Sequence, residues 1–238
     1  MSRVLIIKTG RTVKSLPASA GDFEDWIMRG MGLSGDDCLT VEVFQGGTLP
    51  DFGAVSGVVI TGSAAMVTDL APWSEYSAAY IQALVHTNIP VLGICYGHQL
   101  IAHALGGSVG FHPGGREIGT TRVSLTQGAA SDPLFAGLPD LFPVNVSHSQ
   151  SITMLPPGSV ILASNGFESR HGVRFAANIW GIQFHPEFDA EVMQAYILDR
   201  ANTLVEEGKD PDSLLRGVRE TPDAVRVLSN FTGIINSR

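Results

Sequence analysis

The stretch Ile89-Pro-Val-Leu-Gly-Ile-Cys-Tyr-Gly-His-Gln-Leu100 decides how this chain is read. Val91–Ile94 is a short run without a polar side chain, the pattern of a strand buried on both faces. Gly97–Leu105 follows at once with helical spacing, closed by Gly106-Gly107 as a C-cap. Between them stands Gly93-Ile94-Cys95-Tyr96-Gly97, a G-x-C-x-G form of the nucleophile elbow, in which flanking glycines permit a sharp strand-to-helix turn. Such a turn lifts the Cys95 side chain above the sheet edge and sets it at a helix N-terminus, where the dipole and unpaired N–H groups favour thiolate. The carboxyl end of a parallel strand is also where open α/β sheets bind ligands. A free cysteine is more often a small buried core residue. The two glycines and the strand-to-helix position favour a nucleophile at Cys95, whereas Cys38 lacks both and reads as structural.

Outward from this turn, short β-branched runs alternate with longer amphipathic stretches. Towards the N-terminus, Arg3–Lys8, Leu39–Phe44 and Gly57–Thr61 read as strands, and Gly21–Met31 and Pro72–His86 as helices. The expected core is an open, mostly parallel sheet with helices on both faces. After Gly107 the pattern changes. Glu117–Thr126, Leu141–Val146, Ser159–Ala163 and the pair Val173–Asn178 and Ile179–Phe184 are strand-like with only turns between them, an added antiparallel or mixed section. Ala190–Glu207 returns to helical spacing, and Pro222–Ile235 ends the chain as a helix. Without an internal repeat or linker, residues 1–238 read as a single domain, with a core over about 3–207 and a helical extension over about 210–238.

With 238 residues, 44% of them hydrophobic and 16% charged, the chain can bury a sizeable core. A net charge of -8 without clustered Lys and Arg argues against nucleic acid as a partner. The first apolar run is too short for a signal peptide, and no stretch reaches the roughly 20 apolar residues that span a bilayer. Two cysteines, Cys38 and Cys95, make no disulfide framework and no zinc spacing, so a reduced, cytoplasmic protein is expected. His86, His98, His103, His112 and His171 show no ligand spacing, and no metal or cofactor is expected.

A thiol nucleophile needs a base. Trp180-Gly-Ile-Gln-Phe-His-Pro-Glu-Phe188 supplies His185 directly after an apolar strand that Pro186 stops. If the chain stays extended, Glu187 points to the same side. It can then hold one imidazole nitrogen and leave the other for Cys95.

Together, Gly93-Ile-Cys-Tyr-Gly-His-Gln99 and His185-Pro-Glu187 closely resemble the signature of class I glutamine amidotransferase domains, particularly those of the GMP synthase type. The chain order, cysteine first and then histidine and glutamate, is similar too. The resemblance covers roughly Arg3 to Glu207 and implies a flavodoxin-like fold. It implies glutamine as the small-molecule substrate, a γ-glutamyl thioester on Cys95, and ammonia as first product, for transfer to an acceptor. Val58-Val-Ile-Thr-Gly62-Ser63 is similar to the oxyanion strand, implying Gly62, Ser63 and the Tyr96 amide as oxyanion donors. The family more often has Gly-Gly-Pro where this chain has Gly62-Ser63-Ala64. By the same resemblance, Gln99 helps to hold the substrate. Ser147-His148-Ser149, where the family has Ser-His-Gly, contacts the glutamine α-carboxylate and amino group, mainly through backbone.

Three further readings compete. A synthetase domain with an SGGxDS-type loop is missing here, so the ammonia acceptor would be a partner chain; the alternative is a stand-alone γ-glutamyl amide or peptide hydrolase with water as acceptor. A non-catalytic binding or regulatory homologue would not need Cys95, His185 and Glu187 together. An α/β-hydrolase with a cysteine nucleophile places its acid before its histidine, the reverse of the order here.

Overall fold

The computed structural model describes residues 2–238. In chain order the elements are β1 (Arg3–Lys8), α1 (Phe23–Met31), β2 (Cys38–Glu42), β3 (Val55–Ile60), α2 (Pro72–Leu84), β4 (Val91–Ile94) and α3 (Tyr96–Ala104). There follow β5 (Ser108–Phe111), β6 (Glu117–Leu125), β7 (Leu141–His148), β8 (Gln150–Met154), β9 (Val160–Ser164), β10 (Gly172–Ala176) and β11 (Ile179–Ile182). Four helices close the chain: α4 (Ala190–Asp199), α5 (Ala201–Glu206), α6 (Pro211–Gly217) and α7 (Pro222–Asn236).

Nine strands form one sheet in the order β2-β1-β3-β4-β11-β10-β9-β6-β7. β2, β1, β3, β4 and β11 run parallel, and β10, β9, β6 and β7 continue the sheet in antiparallel pairs. The expected open, mostly parallel sheet with helices on both faces and an added mixed section is therefore the observed architecture. β11 departs from expectation in one respect. It is the antiparallel partner of β10, as its sequence suggested, and also lies parallel to β4 with Ile182 opposite Ile94. That pairing carries the segment ending in His185 alongside the strand that ends in Cys95. β5 and β8, which the sequence did not announce, form a small separate two-stranded sheet.

Burial follows the two-residue period of a strand covered on both sides. Val4 and Ile6 of β1 pack in one core with Trp26 and Ile27 of α1 and Phe231 of α7. Leu5 and Ile7 pack in the other with Ile81 of α2 and Leu100 of α3. α1 starts at a capping box, with Asp22 and Asp25 exchanging side-chain-to-backbone bonds, which satisfies two otherwise orphaned N–H groups. The C-terminal extension lies on the core rather than apart from it. Ala224, Val227, Leu228, Phe231 and Ile234 of α7 are buried, and Gly30 of α1 meets the Leu228 side chain so closely that a Cβ there would collide with it. The helix expected over Ala190–Glu207 is broken at Arg200 into α4 and α5.

Candidate active site

Cys95 sits between β4 and α3 with φ 51° and ψ -98°, a left-handed conformation that a non-glycine residue adopts at a cost of roughly 1–3 kcal/mol. Its amide donates to the Ile182 carbonyl of β11 at 2.8 Å, which ties the strained residue to the neighbouring strand. The flanking glycines permit the sharp turn, as the elbow motif leads one to expect. The left-handed torsion falls on Cys95 itself, and the glycines let backbones approach each other. A Cβ on Gly93 would collide with the Gly97 carbonyl, and one on Gly97 with the Ile60 carbonyl at the end of β3.

His185 lies beyond β11, where its amide donates to the Asn145 carbonyl of β7 at 2.8 Å. Its Nδ1 is 2.7 Å from Glu187 Oε1, with both residues buried. The chain does not remain extended here, as the sequence reading supposed. Residues 186–187 turn, the Phe188 amide donates back to the His185 carbonyl at 3.4 Å, and the Glu187 carboxylate reaches the imidazole around that turn. The ring is held on one face and at an edge. Phe188 stacks on it with centroids 4.0 Å apart, and Gly62 lies so close that an added Cβ would stand 2.8 Å from His185 Cε1. Burial alone would drive the proton off His185. The charge of Glu187 and the neighbouring Cys95 sulfur, with hydrogen bonds to both, outweigh it and raise its pKa.

Two cavities meet at this point. The smaller, about 60 Å³, is lined by Ser63, Cys95, Tyr96, Gln99, Ser147 and Arg116 among others. The larger, about 280 Å³, is lined by His185 and Tyr196 and by the loop after β1, Arg11 to Lys14. Ser63, Ala64, Ser147 and Arg200 border both. The loops concerned follow β1, β3 and β4, so the site occupies the carboxyl edge of the parallel strands.

Among the other residues singled out from sequence, Ser63 and Tyr96 line the Cys95 cavity, while Gly62 packs under His185. The Ser63 hydroxyl is held by the Thr9 carbonyl (2.8 Å) and the Ala65 amide (3.1 Å), which fixes this loop. Gln99 is buried against the cavity, its Nε2 donating to the Gln150 carbonyl (2.8 Å) and to Gln183 Oε1 (2.9 Å). The Ser147 carbonyl is 3.8 Å from Cys95 Sγ. Ser149 also lines the cavity, and its carbonyl accepts from the His112 amide at 2.9 Å. His148 borders the cavity, but both ring nitrogens are engaged, Nδ1 at 3.0 Å from the Gln150 carbonyl and Nε2 at 3.0 Å from Glu117 Oε2. Sequence reasoning missed Arg116 and Arg200, the cavity's two cations. Arg116 is one cation in a glycine-rich turn and carries no local signal. Arg200 marks the break between α4 and α5, which the unbroken helical spacing conceals.

Glu117, His148 and His171 are the one group among the described residues with three ligand-type atoms within 4.8 Å. Glu117 is engaged by His148 and by Asn165 Nδ2 at 2.7 Å, and His171 Nε2 lies 3.2 Å from it. Burial would raise the Glu117 pKa, but the contacts with His148 and His171 and the charge of His171 hold it well below the usual carboxylate range.

The family model for class I glutamine amidotransferases matches residues 40–203. The chain is 31% identical over 194 residues to a GMP synthase [glutamine-hydrolyzing] of Thermomicrobium roseum, covering 76% of this chain and 34% of that protein. It is also 31% identical over 170 residues to a gamma-glutamyl-L-1-hydroxyisopropylamide hydrolase of a Pseudomonas species, covering 68% of this chain and 56% of that one. It thus spans about a third and about half of these relatives' lengths. A glutamine amidotransferase crystal structure from Thermotoga maritima superposes with a TM-score of 0.76 over 98% of both chains at 24% identity, a likeness of fold.

Proposed function

The chain belongs to the class I glutamine amidotransferase family, and we propose that it cleaves the side-chain amide of glutamine through a γ-glutamyl thioester on Cys95. The observation that carries this reading is His185 held by Glu187 at 2.7 Å, beside a cysteine on a strained elbow that opens into a cavity. Residues 1–238 act as one catalytic domain in this proposal. His185 takes the Cys95 proton, and the resulting thiolate attacks the amide carbon, forming the C–S bond, while the carbonyl oxygen takes the electron pair. Amides at the Tyr96 helix start and in the Gly62–Ser63 loop are the proposed donors to that oxyanion, each worth roughly 3–4 kcal/mol in the transition state. The C–N bond then breaks, and the proton held by His185 passes to the departing nitrogen. Water attacks the thioester, gives a proton to His185, and releases glutamate with the thiolate restored. Gln99 and the Ser147–Ser149 backbone hold the γ-glutamyl group.

In an amidotransferase the ammonia passes to an acceptor, for which a synthetase partner chain is proposed; the family's GMP synthases support that partner. The two free cysteines suit a cytoplasmic setting, and among the described residues no helix is long and apolar enough to cross a membrane. A second reading, a hydrolase of larger γ-glutamyl amides with water as acceptor, is favoured by the 280 Å³ cavity on the His185 side. Glutamate release from glutamine and from a panel of γ-glutamyl amines tests both. Fast glutamine turnover, or turnover raised by a partner protein, supports the first reading, and rapid cleavage of a larger amide supports the second. No release from any member contradicts both.

A further inference from the structure

The two cavities are divided by chemistry as well as by shape. Cys95 lines the smaller and His185 the larger. The thioester carbon stays with Cys95, whereas the departing nitrogen must come within hydrogen-bond reach of His185 to receive its proton. Whatever that nitrogen carries therefore extends into the larger cavity. Ammonia does not need such a space, since a molecule of that size requires only roughly 10–15 Å³, against about 280 Å³ here. The charge of the cavity is informative too. In a chain of net charge -8, its wall carries Arg11, Lys14 and Arg200. Glu42 lies 3.3 Å from Arg11 and Asp199 3.6 Å from Arg200, so three cations face two carboxylates. Lys14 has no ion-pair partner among the described residues and is exposed. Arg200 is fixed over the Tyr196 ring at 4.8 Å, which presents its guanidinium to both cavities.

We infer that the larger cavity is a leaving-group subsite for an amine that itself carries a carboxylate, so that γ-glutamyl amino acids are better substrates than neutral γ-glutamyl amides or glutamine. This rests on the thioester reading of Cys95 and His185 and develops the second reading, the hydrolase of larger γ-glutamyl amides, by giving the departing amine its chemical class. The reaction is a hydrolysis: the γ-glutamyl C–N bond is exchanged for C–S and then C–O, and the amino acid leaves with the proton from His185.

The test compares kcat/KM for γ-glutamylglycine and γ-glutamylethylamide, which differ only in a terminal carboxylate against a methyl group, with γ-glutamylputrescine and glutamine alongside. The glycine compound is expected to exceed the ethylamide by about tenfold, the scale of one hydrogen bond to a charged group, with the cationic amine slowest. Lys14→Glu, on the exposed wall, is expected to reduce or reverse the glycine-to-ethylamide ratio. Equal rates for that pair, a ratio unmoved by Lys14→Glu, or cleavage of glutamine alone would overturn the inference while leaving the thioester mechanism intact. Failure to cleave any of the four would overturn the mechanism and this inference together.

Discussion

The molecule holds two sets of carboxylate and imidazole built from the same residue types, one buried throughout and one whose carboxylate is partly buried. In one, Glu187 holds His185 at 2.7 Å; in the other, Glu117 lies 3.0 Å from His148 and 3.2 Å from His171. The difference lies on the far side of the ring. The remaining nitrogen of His185 faces Cys95, while that of His148 faces the Gln150 carbonyl, a group with no proton to give or leave. In the proposed mechanism the Glu187–His185 pair is a proton-transfer device because its second nitrogen opens on the reacting sulfur. The other set is a strut, joining β6, β7 and the turn before β10 beside the cavity.

The contrast can be broken by substitution. Cys95→Ala removes the reacting group and should lower kcat by about 10⁴-fold or more, with little change in Tm; a variant that retains turnover would remove Cys95 from the mechanism. Glu187→Gln leaves the ring unanchored and should lower kcat by roughly 10²–10⁴-fold with KM little changed, measured under saturating substrate. Glu117→Gln should show the reverse profile. Removing the anion from a buried pair costs about 3 kcal/mol, a fall in Tm of roughly 10 °C, while kcat drops less than tenfold. If Glu117→Gln instead left Tm unchanged and abolished turnover, the division between device and strut would fail.

Acid titration sharpens the same contrast. Burial, helped by the neighbouring His171 and His148, pushes the His98 pKa down from 6.5 to about 3. A neutral His98 therefore contributes stability in full above pH 6.5, and that contribution is lost as pH falls from 6.5 towards 3. Glu117 is also held below its ordinary value, so its contribution is present above pH 4.5 and lost below it. Chemical denaturation followed against pH should show a slope of about 1.4 kcal/mol per unit for one proton, steepening below pH 4.5. Glu117→Gln should remove the steepening and leave the upper slope.

Much of this was legible in the sequence for reasons that are local. The run Val91–Ile94 and the alternating burial of β1 follow from apolar strands covered on two faces, and the Cys95 elbow, Gly93 to Gly97, and the pair His185 and Glu187 are each contained within a few residues. What was not legible is long-range. Nothing local in Glu117, His148 and His171 announces that β6, β7 and the turn before β10 bring them within 4.8 Å. Arg116 and Arg200 reach the cavity from positions 84 residues apart in the chain, and no spacing rule spans that distance. The elbow glycines and the sharp turn they permit were visible, but the Gly97 and Ile60 carbonyls that they face were not.

The central claim is that Cys95 carries the γ-glutamyl group. Acid quenching during turnover of glutamine or a γ-glutamyl amine, followed by peptide mass analysis, tests it directly. The expected result is one γ-glutamyl group on the peptide containing Cys95, appearing within the first turnover, at higher occupancy when Glu187→Gln slows hydrolysis of the thioester, and absent from Cys95→Ala. Turnover with no adduct on that peptide, or an adduct on Cys38, would contradict it.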